Sequence, residues 1–439
     1  MSELPTRDSL PLAEQPLPRD YRRNAFCFFS ESSLFMIGMS LVSTTTVLPP
    51  LIERLSGSTV VVGAAGALFN GLWLLPQVFV AGAISGLDRK KPVMVAAIWA
   101  SRVPYLLTGL FLAWFGDRSA TANLAAVLLC VGLFHLTDAV AAVPWFDLVA
   151  RAIPANRRGR VFGASEVLGG LGGVATGFVV RYALGDASPW RYPTNYAVLF
   201  LGAGIVLEIG AVFLTLIREP HSTLPADGHP SARQMLGRIP GILVRDKPFR
   251  QMVLTRLALG FVGLASAFYV LHATQRIGLA PQDIGYFVSA QVVGGLAAGL
   301  LTSVVQDRYG PRAHIRVAAM LALFPAVIGL LGEPLALLLG GGVFFVYLVL
   351  FFLLGMSTGS AAWPFFNWTM EYAPEDQRPS YMGLLNTLGG LYMLAPLLGG
   401  WVVKVVSYQA AFALALGCGV LSLLLSRGLP STRTTTHTK

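Results

Sequence analysis

Charge is what this chain most lacks. Only 12% of its 439 residues are Asp, Glu, Lys or Arg, whereas soluble globular domains carry roughly 25%. With 54% apolar residues, the shortage excludes a water-soluble body. No protein of this size has an interior large enough to hide that much apolar surface, so lipid must be the solvent for most of it. Cysteine is nearly missing too. Cys27, Cys130 and Cys418 all fall in apolar stretches, which excludes a disulfide framework and a cysteine metal cluster. There is no Walker-type phosphate loop, metal-ligand constellation or nucleophile cluster. ATP-driven work by this chain alone, a bound metal, a cofactor and enzymatic chemistry are therefore not expected. The first 23 residues lack the short basic start and small-residue cleavage site of a signal peptide. Polar and Pro-rich, with Arg7, Arg19, Arg22 and Arg23, residues 1–23 read as a disordered cytoplasmic tail.

What is present is a series of apolar runs, each about 20 residues long and so able to span a bilayer as a helix. They lie near 25–50, 60–86, 92–115, 121–148, 160–184 and 194–217, then, after a polar stretch, near 248–275, 282–305, 314–332, 338–370, 380–405 and 409–426. The sequence thus predicts an all-α integral membrane protein of twelve transmembrane helices. Its parts are a tail (1–23), a six-helix bundle (24–217), a cytoplasmic linker (218–247), a second six-helix bundle (248–426) and a C-terminal tail (427–439). With the N-terminus inside, the cytoplasmic tails and loops hold 24 of the 32 Lys and Arg residues, a strong positive-inside bias. Arg54, Arg118, Arg181, Arg191, Arg276 and Lys404 fall on the opposite side, and Arg102 and Arg256 within helices. This distribution accounts for the net charge of +10 without nucleic acid; anionic lipid headgroups are the expected electrostatic partner.

The two bundles are copies. Residues 141–171 and 361–391 align without a gap and share 11 identities in 31 positions: Ala141, Ala142, Pro144, Phe146, Pro154, Arg158, Gly163, Leu168, Gly169, Gly170 and Leu171. Composition alone would give roughly 2 or 3. A second echo, Asp88-Arg89-x-x-Pro92 against Asp307-Arg308-x-x-Pro311, has nearly the same offset. Duplication of whole halves is a mark of membrane transporters.

Residues 24–426 resemble the major facilitator superfamily of transporters. The family carries an Asp-Arg-x-Gly-Arg/Lys signature after helix 2 and again after helix 8. The second copy here, Gln306-Asp307-Arg308-Tyr309-Gly310-Pro311-Arg312, matches well. The first, Leu87-Asp88-Arg89-Lys90-Lys91-Pro92, has Lys91 where glycine belongs. The loops after helices 4 and 10 fit the family's Pro-x-x-x-Arg followed by Gly, with Pro154, Arg158 and Gly163 answered by Pro374, Arg378 and Gly383. There are also departures. Helix 4 lacks the arginine of many proton-coupled members and offers His135 and Asp138. The drug-antiporter Gly-Pro motif of helix 5 has no proline, so the resemblance stops short of the drug-efflux branch. It implies that helices 1, 4, 7 and 10 line a central cavity, while 3, 6, 9 and 12 support it.

Two kinds of residue then become candidates. At the cytoplasmic face, Asp88, Arg89, Asp307 and Arg308, with Arg158 and Arg378 as partners, can latch helices together by ion pairs or by capping helix N-termini, or can serve only as positive-inside anchors. Pro144 and Pro364 interrupt helices 4 and 10 at equivalent points and predict matched kinks, by mechanism or for packing. The Gly runs at 169–173 and 389–390 predict close helix contacts that can rock.

Within the membrane an ionisable group costs several kcal/mol unless paired or wet, so each is a functional candidate. Those buried deep are Glu31, Arg102, Asp138, Glu208 and Arg256, with Glu166 shallower. By the resemblance, Glu31 and Arg256 reach the cavity. An acid in a partly dry cavity can load and release a proton near neutral pH, which makes Glu31 the leading coupling site. Its rival reading is a static pair with Arg22, Arg23 or Arg256. Arg256 can hold an anionic substrate group or neutralise Glu31. Arg102 and Asp138 can neutralise each other, or Asp138 can couple. His135 is a proton relay or a satisfied core histidine. Trp145, Gln291, Trp363 and Asn367, with Asn70, His272 and Asn386, are the polar and aromatic candidates for substrate contact.

The expected protein is a monomeric, multi-pass plasma (inner) membrane carrier with both termini cytoplasmic. It moves a small organic, amphiphilic or weakly polar solute by alternating access with H+ coupling. A lipid or lipid-linked-precursor translocator of the same architecture, or a non-transporting membrane sensor, is the alternative.

Overall fold

A computed structural model describes residues 19–84, 86–220, 241–361, 363–374 and 377–432, and among them every regular element is helical. The first half contains α1 (Tyr21–Leu41), α2 (Leu48–Ser56), α3 (Thr59–Leu74), α4 (Pro76–Ile84), α5 (Lys91–Phe115), α6 (Ala120–Ala152), α7 (Ala155–Leu184) and α8 (Thr194–Thr215). The second begins with α9 (Lys247–Phe261), which runs on through 3-10 and π turns to Arg276. There follow α10 (Asp283–Leu339), α11 (Val343–Ser360), α12 (Trp363–Tyr372), α13 (Arg378–Gly389), α14 (Ala395–Val405) and α15 (Tyr408–Arg427). The expected tail at 1–18, the middle of the linker (221–240) and the last residues (433–439) lie outside the described residues.

Nine of these stretches are long and apolar enough to cross a membrane, and one of them, Asp283–Tyr372, is 90 residues long. At about 1.5 Å per residue it holds three crossings rather than one. Its turns fall at Gly310 (φ 79°) and Gly340 (φ 52°), where only a residue without Cβ takes the backbone without strain. α1 adds the twelfth crossing; Asn24, Ser30, Glu31, Ser32 and Ser33 make it too polar to count by hydropathy alone. The crossings therefore correspond to the twelve apolar runs. Two of them are broken in ways the runs do not reveal. The first stops at Leu41 and resumes as α2, and the second is divided at Leu75 by Pro76, whose ring nitrogen cannot continue the hydrogen-bond ladder. Ends are capped in the usual manner: Ser119 accepts from the Ala122 amide, Ser407 from that of Ala410 and Asp246 from that of Phe249.

The helices form two six-crossing bundles. In the first, α1 packs on α7 and α8, and α5 on α6 and α8; in the second, α10 packs on α11 and α15, and α9 on α15. The bundles meet along two seams, α3 against α14 and α7 against α10. Both seams rest on glycine. A methyl group at Gly63 would collide with the Pro396 carbonyl, one at Gly400 with the Thr59 carbonyl, and one at Gly177 or Gly285 with the backbone of the other. The Gly169–Gly173 run serves two neighbours at once. Gly169 and Gly172 face Met36 and Ile37 of α1, while Gly170 and Gly173 face Leu296 and Val292 of α10.

These seams lie toward one end of the molecule. Toward the other, which carries the loops around 86–90, 153–154 and 306–312, the continuations α4 and α13 make no sustained contact with each other among the described residues. The close approaches between the halves gather at the far end and thin out toward the basic end.

Candidate functional site

The deep charges of the first half converge on one point. Gly38 of α1 lies against Leu207, and Gly210 of α8 against Leu34 and Glu31. These small residues bring the two helices close and bury Glu31. Arg102, on α5, places Nη1 2.8 Å from Asp138 Oδ1 on α6 and Nη2 3.9 Å from Glu31 Oε1. Trp145 Nε1 donates to Glu31 Oε2 (3.2 Å) and Trp73 Nε1 to Asp138 Oδ2 (3.2 Å). The rings of Phe35 and Phe134 flank the guanidinium at 5.1 and 5.3 Å. Glu208, within electrostatic reach of Arg102, has its Oε2 buried without a hydrogen-bond partner among the described residues. One buried cation therefore serves more acid than it can neutralise. Asp138, 13% exposed, is the pair member through which the cluster meets solvent.

Glu31 thus pairs with Arg102 and with none of the three arginines considered from sequence. Arg23 Nε donates to the Leu216 carbonyl and Arg256 Nη1 to that of Leu385; Arg22 is exposed. His135 stacks on Phe69 at 5.3 Å, its Nε2 buried and without a partner among the described residues. Trp145, considered from sequence as a stacking surface for substrate, is spent on Glu31 and on the rings of Phe28 and Phe162.

A cavity of about 450 Å³ is walled almost wholly by the second half. Asn70 lines it from the first half; Arg256, Ser266, Tyr269, Ser357 and Tyr392 are among the residues that line it from the second. Arg256 is 9% exposed and lies under the Phe366 ring at 5.0 Å. Room for its head group comes from Gly389, where a Cβ would stand 3.2 Å from Arg256 Cζ. Gln291 accepts from Thr45 Oγ1 at 3.0 Å, which ties α10 to the turn after α1. Asn367 is half-buried, and Trp363 is 64% exposed beside Phe366. The two repeated prolines differ in setting: Pro144 lies inside the continuous α6, and Pro364 in the first turn of α12 after a break.

At the basic end, Asp88 and Arg89 are exposed on the rim of a second cavity of about 790 Å³. The ion pairs there belong to their neighbours. Lys90 Nζ lies 3.0 Å from Asp147, and Arg151 bridges Asp147 (2.6 Å) and Glu219 (3.1 Å). Glu219 also accepts from the amides of Lys90 and Lys91 at the start of α5, a helix N-terminus. Arg158 turns back on the carbonyls of Ala150 and Ile153 and so caps α6. Arg308 rests over Tyr309, near Asp307, and the side chain of Arg378 lies outside the described residues. Sequence reasoning missed Trp73 and Glu219, and it did not pair Asp147 with Arg151. The i, i+4 spacing of Asp147 and Arg151 on a helix was the one available signal.

Long apolar helices in two duplicated bundles define an integral membrane protein. The profile of the Major Facilitator Superfamily matches residues 32–391 and, separately, 258–439. The chain belongs to that superfamily. Solved structures with the same fold include a D-xylose–proton symporter, 16% identical with a TM-score of 0.65, covering 93% of this chain and 98% of its own. The nucleoside transporter NupG is 13% identical with a TM-score of 0.65 and covers 92% of this chain and 98% of its own. A bacterial homolog of the human lysosomal transporter Spinster, in an inward-facing, unoccupied conformation, is 13% identical with a TM-score of 0.61, covering 95% and 100%. No curated protein matches the chain in sequence.

Proposed function

We propose that this protein is a proton-coupled secondary transporter that moves a small organic solute by alternating access. The observation that carries the reading is the Glu31–Arg102–Asp138 cluster, in which one buried and one half-buried acid share a single guanidinium. An uncompensated charge at this depth costs several kcal/mol, and a bound proton removes it. The cluster draws on α1, α5 and α6, so a proton arriving or leaving changes how three helices of one bundle hold together. The basic end is the cytoplasmic one, on the strength of the Lys and Arg distribution, and both termini lie there in the plasma (inner) membrane. The halves at 24–217 and 248–426 move as units about the glycine seams. Asp88, Arg89, Asp307, Arg308, Arg158 and Arg378 hold the cytoplasmic end when it closes. The solute meets the cavity walled by the second half and Asn70 and is amphiphilic or weakly polar, in keeping with a largely apolar lining.

The test is flux. Full-length protein in proteoliposomes is expected to concentrate a transported solute when a pH gradient is imposed, and Glu31→Gln is expected to lose that acceleration while retaining downhill exchange. Flux indifferent to the gradient, with Glu31→Gln equal to wild type, would overturn the coupling and favour a lipid-precursor translocator of the same fold.

A further inference from the structure

We infer that the cavity under Arg256 binds a singly charged organic anion, whose carboxylate meets the Arg256 guanidinium and whose apolar or aromatic body fills the rest. Arg256 is almost wholly enclosed, yet among the described residues no carboxylate pairs with it. Its protein contacts are the Leu385 carbonyl at 2.9 Å, the Phe366 ring and the phenol of Tyr392. A buried cation without a counter-charge is costly, and a protein that keeps one in a cavity wall gains most when the charge is answered by ligand. The arrangement is the reverse of the Glu31 cluster, where acid is in excess and cation short.

The rest of the cavity fits such a ligand. Arginine N–H groups donate and cannot accept, so a carboxylate is the group that answers them. One guanidinium balances one negative charge, which disfavours dianions, and it repels cations. The remaining wall, including Leu259, Val262, Pro325 and Phe365, is apolar, and a volume of about 450 Å³ suits a compact organic body rather than an inorganic ion. This reading deepens the proposed function and rests on it only for the claim that the bound anion is transported. With a proton on the acid cluster and an anion on Arg256, the loaded carrier would move no net charge.

Binding to the purified full-length protein in detergent provides the test. Calorimetric titration would use hexanoate, 4-phenylbutyrate and dodecanoate, with 4-phenylbutyramide and 4-phenylbutylamine as the neutral and cationic counterparts. At least one carboxylate is expected to bind, the amide at least tenfold more weakly than 4-phenylbutyrate, and the amine not at all. Arg256→Gln is expected to abolish the preference of carboxylate over amide, and Arg256→Lys to keep part of it. Should the arginine variants fail to fold, the acid, amide and amine series on the wild-type protein still decides the preference. The inference is overturned if no carboxylate binds, if the amide binds as well as the acid, or if a folded Arg256→Gln binds carboxylate like wild type. Glu31→Gln separates the two proposals. Loss of gradient-driven uptake with intact anion binding supports both. An Arg256-dependent anion preference with gradient-blind flux leaves the anion site standing without the coupling. Gradient-driven uptake with no anion preference does the opposite.

Discussion

Arg102 lies 2.8 Å from Asp138 and 3.9 Å from Glu31, is about 2% exposed, and has an Nε without a hydrogen-bond partner among the described residues. Its charge is therefore held by carboxylates and rings rather than by water. Removing one member of such a pair leaves the others charged in a dry place, which costs about 3–5 kcal/mol, whereas replacing both with apolar groups of similar size is close to neutral. Arg102→Gln is accordingly expected to lower the melting temperature of the detergent-solubilised protein sharply. Arg102→Met combined with Asp138→Leu should recover most of that loss while transport stays lost. Equal destabilisation by the single and double variants would show that the pair does not bear the load assigned to it. The Arg102–Asp138 contact was readable in sequence, since a lone cation and a lone anion on consecutive helices have few other partners. The partner of Glu31 was not. Arg22 and Arg23 are near it in the chain, but helix packing decides which charges meet, and the approach of α1 to α8 through Gly38 and Gly210 turns Glu31 toward α5 instead.

Among the helices, the functional contrast is between α3 and α4, two pieces of one crossing. α3 lies on α14 through Gly63 and Gly400, while α4, beyond the break at Pro76, packs within its own half. A larger residue at Gly63 strikes the Pro396 carbonyl, which is main chain and cannot swing aside. Overpacking of this kind costs about 1–3 kcal/mol, and ~2 kcal/mol is about a thirtyfold change in an equilibrium. Gly63→Leu is thus expected to favour the state open at the far end. A cysteine at Asn70, in a background without Cys27, Cys130 and Cys418, should then react faster with a membrane-impermeant thiol reagent added from the far side. Unchanged reactivity would mean that the seam does not govern access. The crossings themselves were legible because a run of apolar residues long enough for a bilayer has few other fates. The breaks at Leu41 and Leu75 were not, since Pro49, Pro50 and Pro76 permit an interruption without fixing where the chain resumes. Matched prolines likewise did not guarantee matched surroundings, as Pro144 and Pro364 show.

At the scale of the whole molecule, two copies of one bundle have become chemically unequal. The first carries the excess acid, and the second carries the solitary Arg256. The repeat pointed to the architecture and to the glycines at the seams, while the proposed chemistry rests on residues that the copies do not share: Glu31, Arg102 and Asp138 in one, Arg256 in the other. The proposed orientation is checked by epitope tags at each terminus of the protein in intact inverted and right-side-out vesicles. Protease is expected to remove both tags only from the inverted ones, and removal from right-side-out vesicles would reverse the assignment.

The far-end seams close on bare glycine Cα atoms against backbone carbonyls, contacts that use main chain rather than side chains. Such a closure holds no record of what the cavity contains. On the proposed reading, changes at Ser266 or Ser357 would retarget the carrier without redesigning its door, and changes at the door would alter its speed without altering its taste. Selectivity and motion would then be inherited separately, each free to drift while the other is kept.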